Sequence, residues 1–183
     1  MTAPFFTIGH SNRSIETFIE LLQGAGIELV ADIRTVPRSR ANPQFNVDIL
    51  PGHLAPSGIG YEHMAALGGL RGKARSLPAD VNGLWENQSF HNYADYALSD
   101  RFQTGLQHLR SEGHRLRCTL MCSEAVWWQC HRRIVADYLI AAGETVFHIM
   151  ERGRTEPARL TQGAIIRADG KIIYPAAPDR VSE

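Results

Sequence analysis

The sequence predicts an α/β fold in three layers, a mostly parallel sheet between flanking helices with a β-hairpin near the C-terminal end. Three observations predict it. A strand–helix–strand unit occupies residues 5–33, short β-rich strands then alternate with helical apolar stripes as far as Ile149, and Asp169-Gly170 divides two β-rich segments. Consecutive strands joined through a helix form a parallel sheet by right-handed crossovers.

Each element follows from its local pattern. Phe5-Phe6-Thr7-Ile8 is a short apolar, β-prone run that Gly9 stops, as a buried strand does. Ser14 supplies a helix cap, and Ile15, Phe18, Ile19 and Leu22 keep the i, i+3, i+4, i+7 spacing until Gly24 or Gly26 ends the helix. Leu29–Ile33 is the next strand. From Thr35 to about Gly72 the chain is irregular and dense in Pro and Gly, with a short helix expected over Asp48–Leu54 and an extended piece at Ile59–Tyr61. An insertion of this length within a small fold is more often functional than idle. One long helix is predicted over Tyr93–Ser111, with Leu98, Phe102, Leu106 and Leu109 on one face and Gly113 as its stop. A strand follows over Leu116–Cys122, then a loop Ser123–Gln129. A helix buries Ile134, Val135, Tyr138, Leu139 and Ala142 and stops at Gly143, and a strand occupies Thr145–Ile149. Asp169-Gly170 then places a hairpin at about 164–175.

With 183 residues the sequence is read as a single domain spanning 1–183 with its core at about 5–150. Its 19 basic and 19 acidic residues balance, and 44% of residues are hydrophobic, which argues against disorder. No apolar run reaches the ~18 residues of a membrane span. No signal peptide is read at Met1–Pro4, and three cysteines make no disulfide framework, so a cytoplasmic location is expected. Arginine provides 17 of the 19 basic residues. Arg34, Arg38, Arg40, Arg71, Lys73 and Arg75 face only Asp48 and Glu62 across that stretch. Such a cluster suits phosphate or carboxylate recognition, or is simply a solvated surface.

Ligands of open parallel sheets bind beyond the carboxyl ends of the strands. Three strands end there in reactive groups: His10-Ser11-Asn12, Asp32 with Arg34, and Cys122 with Glu124. Cys122 precedes a helix that opens near Cys130-His131-Arg132, where free amides and the helix dipole favour an anion or a thiolate. The catalytic candidates are therefore Cys122 as nucleophile, Glu124 or His131 as proton carrier, and His10 and Asp32 as acid or base. Ser11, Arg34, Arg38, Ser39 and Arg132 are the ligand-binding candidates, with Arg132 as anion clamp. Each has a structural counterpart: Cys122 as a small core residue, and Asp32 paired with Arg34 or Arg132 because an unpaired buried charge is costly. No metal is assigned. Cys118 and Cys122 lie roughly 13 Å apart at ~3.3 Å per strand residue, too far to share zinc. A redox pair of Cys122 with Cys130 requires their Cα atoms to come within ~7 Å, and its spacing is not CxxC. Leu67–Lys73 is glycine-rich and basic without being a phosphate-binding motif. Trp127-Trp128 either stack on a ligand ring or anchor the loop.

Taken together, Thr7-Ile8-Gly9-His10-Ser11, Asp32-Ile33-Arg34 with Pro37 and Ser39, Tyr61-Glu62-His63 leading to Leu67-Gly68-Gly69, and Met121-Cys122-Ser123-Glu124 closing on Cys130-His131-Arg132 form a pattern. It resembles the family catalogued as domain of unknown function 488 from about Phe5 to Ile149, with the Trp127-Trp128 loop departing from that pattern. The resemblance implies an α/β domain in a prokaryotic cytoplasm and implies no reaction. The residues themselves point to a small enzyme acting on an anionic ligand: a phosphorylated compound, a nucleotide or a nucleic acid. The alternative is a non-catalytic nucleotide- or nucleic-acid-binding module built on Arg34, Arg38, Arg40 and Arg71. Cofactor and oligomeric state have no signal.

Overall fold

In the computed structural model, which describes residues 2–178, the first crossover sets the frame. Strand β1 (Phe5–Gly9) leads into helix α1 (Ile15–Gly24), whose first turn is capped by Ser14 accepting from the Thr17 amide, and then into β2 (Leu29–Asp32). The irregular stretch contains α2 (Leu50–Leu54) and β3 (Gly60–His63), the latter pairing parallel with β2.

The long helix expected over Tyr93–Ser111 is two helices, α3 (Gln88–Ala97) and α4 (Asp100–Arg115). Ser99 is the reason: its hydroxyl accepts from the Phe102 amide and caps α4, and a residue held in capping geometry cannot continue the helix before it. Gly113 does not stop α4. It lies inside the helix, where the Phe5 ring occupies the space a side chain would need. Strand β4 (Cys118–Cys122), a 3-10 turn at Trp127–Gln129, α5 (Arg132–Ala141) and β5 (Val146–Ile149) complete the parallel series. A short strand β6 (Thr155–Pro157) adds antiparallel to β5. The expected hairpin forms from β7 (Ile165–Ile166) and β8 (Ile172–Ile173).

The six-stranded sheet runs β3-β2-β4-β1-β5-β6. Side chains alternate across it, as the pleat requires. Phe6, Ile8, Val30 and Met121 pack under α1 and α2 with Phe18, Leu22, Leu50 and Leu54. Phe5, Leu29, Ala31, Leu120 and Cys122 pack on the other face with residues of α3, α4 and α5. Three layers result. The hairpin is tied to this second face: Asp137 accepts from the Tyr174 hydroxyl at 2.9 Å and the Thr161 amide at 2.8 Å, and Asn82 accepts from the Tyr174 amide. Among the described residues no helix is long and apolar enough to cross a membrane.

Because β1 and β4 are neighbours in register, Gly9 lies opposite Cys122, and the loop after β4 folds back over β1. A Cβ at Gly9 would overlap the Glu124 carbonyl. Backbone can move little there, since His10 and Ser11 donate to the carbonyls of Cys122 and Ser123. Gly9→Ala is expected to cost on the order of 3 kcal/mol in urea unfolding; an unchanged midpoint would show that the loop yields freely.

Candidate functional site

The ends of β1, β2 and β4 open into one cavity of about 830 Å³. Eight sequence candidates line it: His10, Ser11, Arg34, Arg38, Ser39, Cys122, Glu124 and His131. Cys130 joins them, with Asn12, Asn42 and Asn87 adding polar wall. Two candidates do not line the cavity: Asp32 and Arg132 stand behind its wall, at 0% and 1% exposure.

Asp32 ends β2 with its carboxylate saturated. Oδ1 accepts from the Arg34 amide (3.1 Å) and Nε (2.9 Å), and Oδ2 accepts from Arg34 Nη2 (2.6 Å) and the Tyr61 hydroxyl (2.5 Å). Burial, with this bond to Asp32, pushes the Tyr61 hydroxyl well above its ordinary pKa. Arg34 Nη2 also donates to the Phe45 carbonyl, and Nη1 donates to His10 Nε2 at 3.2 Å. A guanidinium has five N–H groups, so one, on Nη1, remains for a ligand. His10 Nδ1–H donates to the Ser11 carbonyl at 2.8 Å, and its ring stacks on Phe45 with centroids 4.4 Å apart. With Nε2 receiving from Arg34, His10 is neutral, and burial lowers its pKa to about 4. Asp32, Arg34 and His10 thus form a braced platform under the cavity. Ser11 takes φ +49°, a left-handed conformation that costs energy for a residue with a side chain and recurs at functional sites.

The loop from Cys122 to Cys130 is shaped by Arg132. Its Nη1 donates to Cys122 Sγ at 2.8 Å and to the Glu124 carbonyl at 2.7 Å, and Nη2 donates to the Ala125 carbonyl at 3.2 Å. The expected clamp on a ligand anion is therefore a clamp on the sulfur and its loop. No carboxylate pairs with Arg132 among the described residues. Burial consequently brings its pKa down from 12.5 to about 9. Trp127 anchors the loop by stacking on His148, 4.6 Å between centroids and 6° from parallel, whereas Trp128 is exposed.

Cys130 and His131 open α5. The sulfurs of Cys122 and Cys130 come into contact, while their Cα atoms are 7.5 Å apart, wider than the limit that the sequence reading set for a bridge. Cys130 Sγ accepts from the Arg132 amide at 3.4 Å and lies 3.6 Å from His131 Nδ1. The ring of His131 is fixed by Nε2–H donating to the Ile33 carbonyl at 2.8 Å, and Gly69 is pressed so closely on it that any side chain there would clash. Burial lowers the His131 pKa to about 4 as well. Cys118, at the far end of β4, is buried and its thiol is pushed up to about 12.

The remaining candidates are more loosely held. Glu124 is exposed within the cavity mouth. Arg38 is 60% exposed and sits 3.5 Å from Asp48. Ser39 shapes its loop, accepting from the Asn42 amide and donating its own amide to Asn46. The sequence reading missed Phe45 and the Tyr61 hydroxyl as supports of the platform. Phe45 bears no signal of its own and Tyr61 stood only within the family pattern, because both act through partners far away in the chain.

Fold and site together describe an α/β protein with a cysteine-bearing polar cavity at the carboxyl edge of a parallel sheet. The model of the family "Domain of unknown function DUF488" matches residues 14–139, more than half of the chain. The protein belongs to that family. No curated protein and no solved structure matches the chain.

Three neutral buried histidines, His10, His131 and His148, all fall from 6.5 to about 4 in the fold. The unfolded chain then binds protons that the folded one refuses between these values, so stability rises with pH across that window. Thermal unfolding is expected at a constant midpoint between about pH 7 and 8, falling steadily as the pH drops from about 6.5 to 4. A midpoint flat through that range would show that the rings are charged or solvated in the fold.

Proposed function

We propose that this protein is a small enzyme that acts on an anionic, phosphorylated ligand bound in the strand-edge cavity, with the reduced Cys122 as nucleophile. The observation that carries the reading is Arg132 Nη1 lying 2.8 Å from Cys122 Sγ with no carboxylate paired to that guanidinium. A buried cation without a counter-anion is unfavourable. A thiolate at Cys122 supplies the missing charge, and a thiolate is the nucleophilic form of cysteine.

The other residues take roles from their positions. The spare Nη1–H of Arg34 and the guanidinium of Arg38 at the mouth receive the anion, with Ser11 and Ser39 hydrogen-bonding beside them. Glu124, exposed at the cavity mouth, carries the proton to or from the reacting group. His10, neutral and held at both nitrogens, and Asp32, saturated by donors, position Arg34 rather than exchange protons. His131 turns Nδ1 toward the Cys130 sulfur at 3.6 Å.

A nucleotide- or nucleic-acid-binding module without chemistry is less well supported. Two of its four arginines are engaged within the protein, Arg34 on Asp32, and Arg71 on the carbonyls of Gly68 and Ala65 and on the face of Tyr96, leaving Arg38 and Arg40 exposed. What remains exposed is too sparse for a surface that tracks phosphates.

The test begins on fully reduced protein. Cys122 is expected to react with iodoacetamide at pH 7 at least about ten times faster than free cysteine, while Cys118 stays unlabelled. Turnover is then sought with sugar phosphates and nucleoside mono- and diphosphates. Cys122→Ser is expected to retain binding and lose activity by about 10³-fold or more, and Arg38→Ala to weaken binding by about fivefold, the worth of an exposed charge contact. Ordinary reactivity at Cys122, or binding that Cys122→Ser leaves intact with no turnover in either protein and a steep salt dependence, overturns the enzyme reading.

A further inference from the structure

We propose that the same cavity reduces hydroperoxides, with Cys122 as the attacking sulfur and Cys130 as the thiol that resolves the intermediate. The inference rests on the nucleophile reading above and adds a second substrate class and a catalytic role for Cys130. It is carried by an asymmetry between two sulfurs that already meet. Both lie in the cavity wall, with Cys122 2% and Cys130 3% exposed, so only an oxidant small enough to enter the cavity meets them. Cys122 Sγ receives a charged donor at 2.8 Å, whereas Cys130 Sγ receives only a neutral amide at 3.4 Å. Hydrogen bonds from ionised donors are roughly twice as strong as neutral ones, so the negative charge settles on Cys122. Cys130 faces instead the unprotonated Nδ1 of His131 at 3.6 Å, an acceptor that keeps the proton on the Cys130 thiol.

The chemistry balances with a peroxide and an external dithiol. The Cys122 thiolate attacks the terminal oxygen of the hydroperoxide; an S–O bond forms, the O–O bond breaks, and the alcohol or water leaves after taking a proton from solvent. Cys122 is then a sulfenic acid, oxidised by two electrons. The Cys130 sulfur attacks it, the S–S bond forms, and the hydroxide departs as water with the proton of the Cys130 thiol. The external dithiol returns both thiols by exchange and is itself left as a disulfide. Arg132 serves both stages: it stabilises the thiolate first, and it keeps Cys122 within reach of Cys130 by holding the carbonyls of Glu124 and Ala125. Cys118 takes no part, being sealed in the core.

The experiment treats the reduced full-length chain with one equivalent of hydrogen peroxide or cumene hydroperoxide. Dimedone and then iodoacetamide are added, and each cysteine is followed by peptide mass spectrometry. Wild-type protein is expected to lose two thiols per peroxide consumed, to form no dimedone adduct, and to regain both thiols with dithiothreitol. Cys130→Ser is expected to accumulate a dimedone adduct on Cys122, and Cys122→Ser to consume peroxide at least about tenfold more slowly. The thiol count of the wild type decides the matter even if a variant fails to fold. Loss of one thiol per peroxide, or peroxide consumption at the wild-type rate in Cys122→Ser, overturns the inference. Rapid alkylation of Cys122 with no disulfide on oxidation removes the resolving role of Cys130 alone; slow alkylation together with slow oxidation removes the nucleophile reading as well.

Discussion

A guanidinium sealed behind the end of a parallel sheet, with no carboxylate to neutralise it, governs the arrangement around it. Arg132 meets two backbone carbonyls and one sulfur. Carbonyl dipoles compensate part of the cost of burying the charge, and the sulfur, when ionised, compensates the rest. The constraint acts in two directions. It folds the loop after β4 back over β1, which is why residue 9 has no side chain, and it sets a charged donor against the Cys122 sulfur.

The opposite wall is built on the reverse principle. Asp32 and Arg34 neutralise one another in a buried fork, and Tyr61, Phe45 and His10 use their remaining valences except one N–H on Arg34 Nη1. Removing one partner of such a pair leaves an uncompensated buried charge, at a cost of about 3–5 kcal/mol. One wall is therefore electrostatically closed and rigid, and the other is left open by one negative charge. The proposed nucleophile lies on the open side, where a charged donor has no carboxylate partner.

The topology explains why these two walls face each other. Strand β4 inserts between β2 and β1, so the ends of three strands drawn from residues 9, 32 and 122 become neighbours. The helix that follows β4 starts beside them and delivers Cys130, His131 and Arg132 in successive positions, one to the sulfur of Cys122, one to the carbonyl of Ile33 and one behind the loop. Three adjacent residues thus tie the β4 loop to the neighbouring β2 strand.

What the sequence determined by itself was the alternation of strands and helices and the residues at the strand ends, because periodicity, β-branched runs and a capping Ser14 are local properties. Where two local signals competed, as at Ser99 within an otherwise continuous apolar stripe, the hydrogen-bonding side chain prevailed and split the helix. The hairpin was legible from Asp169-Gly170; the β6 edge strand, three residues ending in Pro157, carried no pattern to read. Only the tertiary structure decided the direction of Arg132, the occupation of Arg34, the saturation of Asp32 and the meeting of Cys122 with Cys130. Each of these depends on groups that come together only after the sheet has set its strand order, and spacing along a chain contains no information about which way a long side chain turns once its neighbours are in place.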